Sequence, residues 1–295
     1  MEYTKIDINL AKKLLPERPL ESNKGTFGKV LNIAGCLEYE GAAYLSSLAP
    51  LKAGAGLVTL ATIEQVINNI AGSCPWVTFY PLRDYYKKSI ASDAFSDLKN
   101  IIESYSVLSV GPGLSDTPAI SAFIDDLIKY LCNSDKKTVI DADAINVIAK
   151  SDIISLPKNS VITPHPAELS RLIGVPVDTI QSDRIKYALY TAEKYGCNVV
   201  LKGSNTVIAT KELKIYVNTS GNSALAKAGS GDVLTGLISG FMAQGLPVED
   251  ASVLGVYLHG LSGELASDDL TVYSVLATDL IDYIPLAVKK IMEAV

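Results

Sequence analysis

The sequence has few cysteines, and they form no pattern. Its four cysteines, Cys36, Cys74, Cys132 and Cys197, are scattered along 295 residues without a Cys-x-x-Cys pair. Zinc sites and disulfide frameworks depend on paired or regularly spaced cysteines, so neither is indicated. We interpret all four as small buried hydrophobic residues.

The chain also lacks a basic tract. It has 26 Lys and Arg against 32 Asp and Glu, which gives a formal net charge of −6. Nucleic-acid surfaces need clustered Lys and Arg to neutralise phosphates, so no nucleic-acid partner is expected. The hydrophobic fraction of 48% excludes general disorder.

A long apolar run is missing as well. The uncharged stretch 233–248 is broken by glycines and Pro247, and it is shorter than the ~20 apolar residues of a membrane-spanning helix. Residues 1–20 mix charges throughout and contain no apolar signal core. We therefore expect a soluble, cytoplasmic protein without a membrane partner. Its apolar residues would form a large core and, in part, a subunit interface.

What the chain does have is short apolar runs that alternate with helical patterns. Runs of this kind, apolar throughout rather than alternating, are typical of parallel strands buried on both faces. We predict strands at 30–35, 57–61, 106–110, 138–140, 160–162 and 198–201, and helices at 41–53 and about 117–132. Two further runs, at 206–209 and 213–217, flank a charged turn and predict an antiparallel hairpin near a sheet edge.

From residue 224 onward the pattern is helical. We expect three or four helices there, with breaks near 245–247, around 268–269 and before Thr278. No linker, repeat or low-complexity segment interrupts the chain. The whole pattern predicts a single α/β domain over residues 1–295, with a mostly parallel central sheet flanked by helices and an antiparallel edge hairpin.

Unusual residues follow several of the predicted strands. Gly35, Gly111, Asp141, His165 and Lys202 each come directly after, or within a few residues of, a different strand. Ligands of open parallel sheets bind outside the carboxyl ends of the strands. Any one of these residues could belong to an ordinary turn, but five at the same edge predict a binding site.

The strongest local motif is Ala-Gly-Ser-Gly-Asp at 228–232, which opens a predicted helix. Glycines let backbone N–H groups converge on an anion, and the helix N-terminus adds partial positive charge. An Asp among those amides repels a phosphate, but it would serve as a base for a hydroxyl that attacks a phosphoryl group. The alternative is that Asp232 only caps the helix.

Several ordered segments with fitting spacing make the sequence recognisable. They are Lys-Gly-Thr-Phe-Gly-Lys-Val-Leu-Asn-Ile-Ala-Gly at 24–35, Gly-Ala-Ala at 41–43, Val-Gly-Pro-Gly-Leu at 110–114, Ile-Asp-Ala-Asp-Ala at 140–144, Thr-Pro-His-Pro-Ala-Glu-Leu at 163–169, Val-Leu-Lys-Gly at 200–203, Ala-Gly-Ser-Gly-Asp-Val-Leu-Thr-Gly at 228–236 and Tyr-Leu-His-Gly at 257–260. With these segments the chain resembles the ribokinase-like superfamily and, within it, the NAD(P)H-hydrate dehydratase family. Several motifs in order are far more specific than one glycine motif.

The resemblance implies a metabolite-repair lyase. Family members restore NADH and NADPH that have taken up water at C6 of the nicotinamide ring, using ADP or ATP as co-substrate. The C6 hydroxyl is phosphorylated, and phosphate is then eliminated, so ADP becomes AMP and phosphate. The resemblance further implies Mg²⁺ as cofactor, a homo-oligomer with a tetramer as candidate size, and a separate NAD(P)H-hydrate epimerase, since 295 residues leave no room for a fused one.

The resemblance also assigns roles to individual residues. Asp232 would be the catalytic base and a substrate contact. The nucleotide-binding residues would be Lys202, Gly203, Ser204, Asn205, Thr206, Gly229, Ser230 and Gly231. The other substrate contacts would be Ala42, Ala43, Gly113 and His165, and Asp143 and Glu168 would arrange Mg²⁺ with its waters. The family commonly has Gly at position 228 and Ser at position 36, where this chain has Ala228 and Cys36, which affects fine substrate contacts.

For four residues of the recognised segments, a purely structural interpretation remains open. His165, between two prolines, could stabilise a turn, and Lys202 could be a surface charge. Asp141 could only fix the end of its strand. His259 lies in an apolar segment and is better interpreted as a packed core residue than as a ligand.

Three other functions remain as alternatives. A small-molecule kinase of the same superfamily, acting on hydroxymethylpyrimidine or hydroxyethylthiazole, would use the same Asp but release the phosphorylated product. A nucleotide sensor without catalysis would not need Asp232. A dinucleotide-dependent dehydrogenase fits poorly, because Gly54 and Gly56 follow a helix and precede a strand, the reverse of the dinucleotide-binding order.

Overall fold

The computed structural model describes residues 2–294, and one ten-stranded sheet runs through them. The strands are β1 (Thr4–Ile6), β2 (Lys29–Ile33), β3 (Leu57–Ile63), β4 (Thr78–Leu82), β5 (Asp84–Tyr85), β6 (Ser89–Ile90), β7 (Val107–Val110), β8 (Lys137–Ile140), β9 (Ser160–Ile162), β10 (Asn198–Leu201), β11 (Val207–Ala209) and β12 (Ile215–Asn218). The helices are α1 (Ile8–Leu14), α2 (Glu40–Ala53), α3 (Glu64–Ile70), α4 (Phe95–Lys99), α5 (Pro118–Cys132), α6 (Ala142–Ile148), α7 (Pro166–Ile173), α8 (Val177–Ser182), α9 (Arg184–Tyr195), α10 (Ser230–Ala243), α11 (Val248–Leu270) and α12 (Ala277–Glu293).

Ten of these strands form one sheet, and β5 and β6 form a separate two-stranded antiparallel sheet. The ten-stranded sheet is parallel except for one strand. Its order is β1-β12-β11-β10-β9-β8-β7-β2-β3-β4, and only β11 runs against its neighbours. The six predicted parallel strands and the β11–β12 hairpin are therefore confirmed. The hairpin is not the outermost element, because the three-residue strand β1 pairs in parallel with β12 and forms the edge.

Both faces of the sheet are covered, as the apolar strands predict. Val107, Val139 and Val161 face a layer built from α2, α10, α11 and α12. The alternate residues Leu108, Ile140 and Ile162 face the opposite layer, to which α5, α6, α7 and α9 contribute. Because side chains alternate along a strand, the residue that follows each strand continues this alternation. Asp141, Thr163 and Lys202 therefore stand at strand ends on the face that carries α10.

Helix α10 approaches the sheet closely because of its small residues. A Cβ on Gly236 would lie 2.6 Å from the Cβ of Ala49, and one on Gly240 would lie 2.8 Å from the Cα of Pro50. Glycine at both positions lets α10 pack directly against α2. This packing fixes the N-terminus of α10, which contains the Gly-rich motif, at the carboxyl edge of the sheet.

The C-terminal region forms three long helices, as expected. The break predicted around 268–269 lies just after that position, because α11 ends at Leu270 with Thr271 as its C-cap, whose φ is 78°. Strands β1, β4, β5 and β6 were not predicted from the sequence. Among residues 2–294, no helix combines the length and the apolar character needed to cross a bilayer.

Candidate active site

A partly buried lysine joins two strand ends and the start of a helix at the carboxyl edge of the sheet. The Nζ of Lys202, after β10, donates a hydrogen bond of 2.8 Å to Oδ1 of Asp141, after β8. The same Nζ lies 3.8 Å from Oε2 of Glu168, near the start of α7. Burial opposes the charge on Lys202, but the two carboxylates outweigh it and raise the pKa of the ammonium group. Lys202 is therefore a paired cation of the site, and its interpretation as a surface charge is wrong.

Asp141 links this lysine to helix α10. Its side chain is 1% exposed, and its Oδ2 accepts a hydrogen bond of 2.7 Å from Thr235 Oγ1. Each carboxylate oxygen thus has a partner, as a buried charge requires. The carboxylate of Asp141 fixes both the lysine and the helix that carries the Gly-rich motif.

His165 caps helix α7. Its Nδ1 accepts hydrogen bonds from the backbone N–H groups of Ala167 and Glu168, and Glu168 Oε2 accepts one from the N–H of His165. Since Nδ1 accepts, the ring proton lies on Nε2, which is 3.3 Å from Glu168 Oε1. Burial, with Lys202 and Arg171 nearby, lowers the pKa of His165, so the ring stays neutral. The turn-stabilising role is observed, and the substrate contact stays a prediction.

The Gly-rich motif forms the first turn of α10. Gly229 has φ 86°, and a Cβ there would lie 2.6 Å from Leu45 Cδ1, so both conformation and space require glycine. The Nζ of Lys202 lies 3.4 Å from the place of a Cβ on Gly231. Among residues 2–294 nothing accepts a hydrogen bond from the N–H of Gly231 or Asp232. Two amides and an ammonium group thus converge on one small volume suited to an anion.

Asp232 stands in the same turn with an unusual acidity. Burial raises the pKa of its carboxyl group to about 7, and the nearby carboxylates of Asp141, Asp143 and Glu168 add to the rise, against the opposing effect of Lys202. Asp232 is the third residue of α10, after the N-cap Gly229, and within residues 2–294 its side chain caps no backbone amide. Its interpretation as a helix cap is therefore wrong. A carboxyl group of this acidity can exchange protons near neutral pH.

His259 supports the motif from α11. Its Nε2 lies 2.9 Å from the carbonyl oxygen of Ser230 and 3.0 Å from the Oγ of the same residue. Burial lowers the pKa of this histidine to about 4, so the ring is neutral. His259 is a buried core residue, as expected, and its polar contact with Ser230 was not predicted.

The β10–β11 connection contains the predicted nucleotide-binding residues. The turn runs from Lys202 to Thr206, with Gly203 at φ 146° and Asn205 at φ 52°. Thr206 Oγ1 closes the turn with a hydrogen bond to the carbonyl oxygen of Gly203. No acceptor among residues 2–294 pairs with the N–H groups of Gly203, Ser204 or Asn205. The turn therefore offers its amides to the solvent beside Lys202.

The predicted small-residue contacts lie at the start of α2. A Cβ on Gly113 would lie 2.8 Å from the Cβ of Ala42 and 2.9 Å from the carbonyl oxygen of Tyr39. Ala43 is fully buried, 2.7 Å from the place of a Cβ on Gly35. Packing between α2 and the strand ends explains these small residues. Their contact with a dinucleotide stays a prediction.

The two residues predicted for Mg²⁺ each have a backbone partner already. Asp143 Oδ2 accepts from the N–H of Ser115, and Glu168 accepts from His165. Burial raises the pKa of both carboxyl groups. No group of three or more His, Cys, Asp or Glu within residues 2–294 is arranged to hold a metal on its own. Mg²⁺ commonly binds through one or two carboxylates, waters and substrate phosphates, and this donor set fits that mode.

A family model described as NAD(P)H-hydrate dehydratase matches residues 30–286. The chain belongs to the NAD(P)H-hydrate dehydratase family. Over 276 residues it is 37% identical to the ADP-dependent (S)-NAD(P)H-hydrate dehydratase of Bacillus subtilis, with 94% of each chain covered.

Solved structures and longer relatives agree with this family. The ADP/ATP-dependent NAD(P)H-hydrate dehydratase of Bacillus subtilis, co-crystallised with ATP and Mg²⁺, superposes with TM-score 0.86 at 33% identity, covering 99% of both chains. The bifunctional NAD(P)H-hydrate repair enzyme of Moorella thermoacetica is 36% identical over 95% of this chain. The chain spans about half the length of the bifunctional relatives it matches. A hydroxyethylthiazole kinase of Pyrococcus horikoshii shares the fold alone, with TM-score 0.59 and 14% identity.

Three contacts of this NAD(P)H-hydrate dehydratase family site were not predicted from the sequence. Thr235 holds Asp141, His259 holds Ser230, and Arg184 at the start of α9 contacts the β10–β11 turn. Thr235 could have been suggested by its place one helical turn after Asp232. Nothing local to Arg184 connects it with a turn that begins 18 residues later.

Proposed function

We propose that the protein catalyses nucleotide-dependent dehydration of hydrated NADH and NADPH and thereby restores the reduced dinucleotides. The observation that carries the proposal is the first turn of α10. There the carboxyl group of Asp232, with a pKa of about 7, stands beside backbone amides that have no acceptor among residues 2–294, and close to the charge of Lys202. A base and an anion site in one place suit phosphoryl transfer to a hydroxyl group. Membership of the NAD(P)H-hydrate dehydratase family supplies the substrate class.

In the first step Asp232 accepts the proton of the C6 hydroxyl as its oxygen attacks the β-phosphorus of ADP. The new O–P bond forms, the bond to the leaving phosphate oxygen breaks, and AMP departs. The N–H groups of Gly231 and Asp232 and the Nζ of Lys202 stabilise the charge of the transferring phosphoryl group. Positioning and charge stabilisation dominate such reactions, because the protein itself forms no covalent bond.

The second step removes phosphate. Hydroxide leaves poorly, but a phosphate ester leaves well once the ring nitrogen donates its lone pair. The C6–O bond breaks, the C5 proton is lost, and the ring double bond returns. In sum, hydrated NADH and ADP give NADH, AMP and phosphate. The elements of the water that had added to the ring are thus consumed in the cleavage of ADP to AMP and phosphate.

The other site residues take roles in this scheme as part of the proposal. The turn from Lys202 to Thr206 and the first turn of α10 would bind the nucleotide. His165, Ala42, Ala43 and Gly113 would contact the hydrated dinucleotide. Asp143 and Glu168 would hold Mg²⁺ through water. When bound, Mg²⁺ would neutralise part of the phosphate charge, which this acidic protein does not match with many cations.

We extend the proposal to the working form of the protein. Residues 1–295 act as one domain, because both core layers rest on a single sheet. The exposed apolar side chains Tyr273 and Leu276, between α11 and α12, favour a homo-oligomer, with a tetramer as candidate. A separate epimerase supplies the reactive epimer of the hydrate. The protein acts in the cytoplasm, where reduced dinucleotides are used.

The test is incubation of purified protein and Mg²⁺ with hydrated NADH and, separately, ADP or ATP. We expect the dihydronicotinamide absorbance to return, with one AMP released per NADH when ADP is used. Phosphorylation of hydroxymethylpyrimidine or hydroxyethylthiazole without any return of that absorbance would instead establish the kinase alternative and refute the proposal.

A further inference from the structure

The β10–β11 turn is wrapped around a guanidinium group. Arg184, the first residue of α9, donates from Nη2 to the carbonyl oxygen of Leu201 at 2.8 Å and from Nη1 to the carbonyl oxygen of Ser204. A Cβ on Gly203 would lie 3.0 Å from Nη2 and 3.3 Å from Cζ. Only a glycine in this left-handed conformation allows the chain to pass so closely over the side chain.

Arg184 is an unusual cation in three respects. Among residues 2–294 no carboxylate forms an ion pair with it, and its buried Nε has no hydrogen-bond partner. It stands at the N-terminus of α9, where the helix dipole disfavours positive charge. Burial lowers the pKa of its guanidinium group. A partly buried cation without a counter-charge lowers the stability of the protein, and a bound anion would compensate this charge.

The hydrogen bonds of Arg184 set the polarity of the turn. Both carbonyl oxygens point inward to the guanidinium, while the N–H groups of Gly203, Ser204 and Asn205 have no acceptor among the described residues. Outward N–H groups over an inward cation form a positive surface suited to an anion. Lys202, at the start of the turn, adds its charge on the side of Asp232.

We propose that Arg184 is a positioning residue for the nucleotide: it holds the β10–β11 turn with its amides outward and supplies the positive charge that the phosphates of a nucleoside diphosphate meet there. This inference rests on the proposed function only for the identity of the ligand. Arg184 takes no part in the chemistry at the C6 hydroxyl. Its loss should therefore weaken nucleotide binding and leave the binding of the hydrated dinucleotide almost unchanged.

The test compares Arg184→Gln and Arg184→Lys with Arg18→Gln as the matched control. Arg18 also donates to a main-chain carbonyl, that of Gly54, but this contact precedes β3 at the opposite edge of the sheet. ADP binding is measured directly by calorimetry, and the KM values for ADP and for hydrated NADH are measured separately. Melting temperature and circular dichroism establish that each variant is folded.

We expect Arg184→Gln to raise the dissociation constant and the KM for ADP about ten- to hundredfold, as the loss of hydrogen bonds to a charged group implies. The KM for hydrated NADH should change less than about twofold. The ADP affinity of Arg184→Lys should fall between those of wild type and Arg184→Gln, because lysine keeps the charge but lacks the planar group that donates two hydrogen bonds to the turn. Arg18→Gln should bind ADP like the wild type.

Equal ADP binding by wild type and folded Arg184→Gln would overturn the inference, and so would an equal rise of both KM values. Should Arg184→Gln fail to fold, the same measurements are made on Arg184→Lys, and ADP binding equal to that of the wild type would again overturn the inference. A wild type that binds ADP with Arg184-dependent affinity but never restores NADH would refute the proposed function and leave this inference intact.

Discussion

Replacing Asp232 by Asn should remove activity and at the same time make the protein more stable at neutral and higher pH. Its pKa of about 7 in the folded protein compares with an ordinary value of 3.8. The folded state therefore resists ionisation of this group, and wild-type stability falls as pH rises from about 4 to about 7. About three pKa units correspond to about 4 kcal/mol, because each unit is worth about 1.36 kcal/mol.

The assay is urea unfolding of wild type and Asp232→Asn at several pH values between 4 and 8.5. The stability gain of Asp232→Asn should grow with pH up to about 7 and then level off, on the order of 4 kcal/mol above its value at pH 4. The control Asp126→Asn removes the same charge from an exposed position on α5 and should show no such growth. In parallel, kcat should fall by about 10²–10⁴, the usual contribution of a general base.

Two results would refute this reasoning. A stability gain that does not change between pH 4 and pH 8.5 would show that Asp232 is not held against ionisation by its surroundings. Full activity of Asp232→Asn would show that it is not the base. In wild type, kcat/KM should rise with pH through about 7, because the carboxylate form must accept the proton.

The remaining predictions concern the groups around that turn. Lys202→Gln leaves two buried carboxylates without their cation, so it should cost about 3–5 kcal/mol in urea unfolding at pH 7. The cost should be smaller at pH 5, because burial raises the pKa of Glu168 and lets it take up a proton there, and the variant should bind ADP more weakly in calorimetry. Thr235→Val removes a buried donor to Asp141 and should cost about 1–3 kcal/mol by the same assay, and an unchanged midpoint would refute the linking role of that bond. Gly111→Ala should reduce folded yield sharply, because φ is 127° and a Cβ would lie 1.8 Å from the Asp141 carbonyl oxygen, whereas Gly72→Ala, with open space around it, should be tolerated.

Much of the fold could be predicted from local patterns. Strands 107–110 and 138–140 are buried on both faces. Their continuous apolar character indicates the parallel strands, and the residues that follow them indicate the carboxyl-edge site. The three-residue strand β1 and the two-residue strands β5 and β6 are too short to have a pattern of their own. Strand β1 forms through pairing with β12, which is distant in sequence, whereas β5 and β6 pair with each other as a short local hairpin.

The chemistry of the site was less visible in the sequence than its place. The Ala-Gly-Ser-Gly-Asp motif identifies Asp232, but the pKa of its carboxyl group is raised first by burial and then by carboxylates that follow β8 or belong to α7. The Thr235–Asp141 bond joins residues 94 positions apart. The cap made by His165 could have been noticed, since a Pro follows it at the first helical position and Glu168 stands at the third. The contacts of Arg184 depend on tertiary packing alone.

The central claim is that Asp232 directs the C6 oxygen of the hydrate onto a phosphoryl group. Hydrated NADH labelled with ¹⁸O at the C6 hydroxyl tests it most directly, with mass analysis of the phosphate released during turnover with ADP. We predict one ¹⁸O atom in each phosphate for each NADH restored, because the C6–O bond breaks only after the O–P bond has formed. Unlabelled phosphate, with the ¹⁸O found in water, would contradict the account.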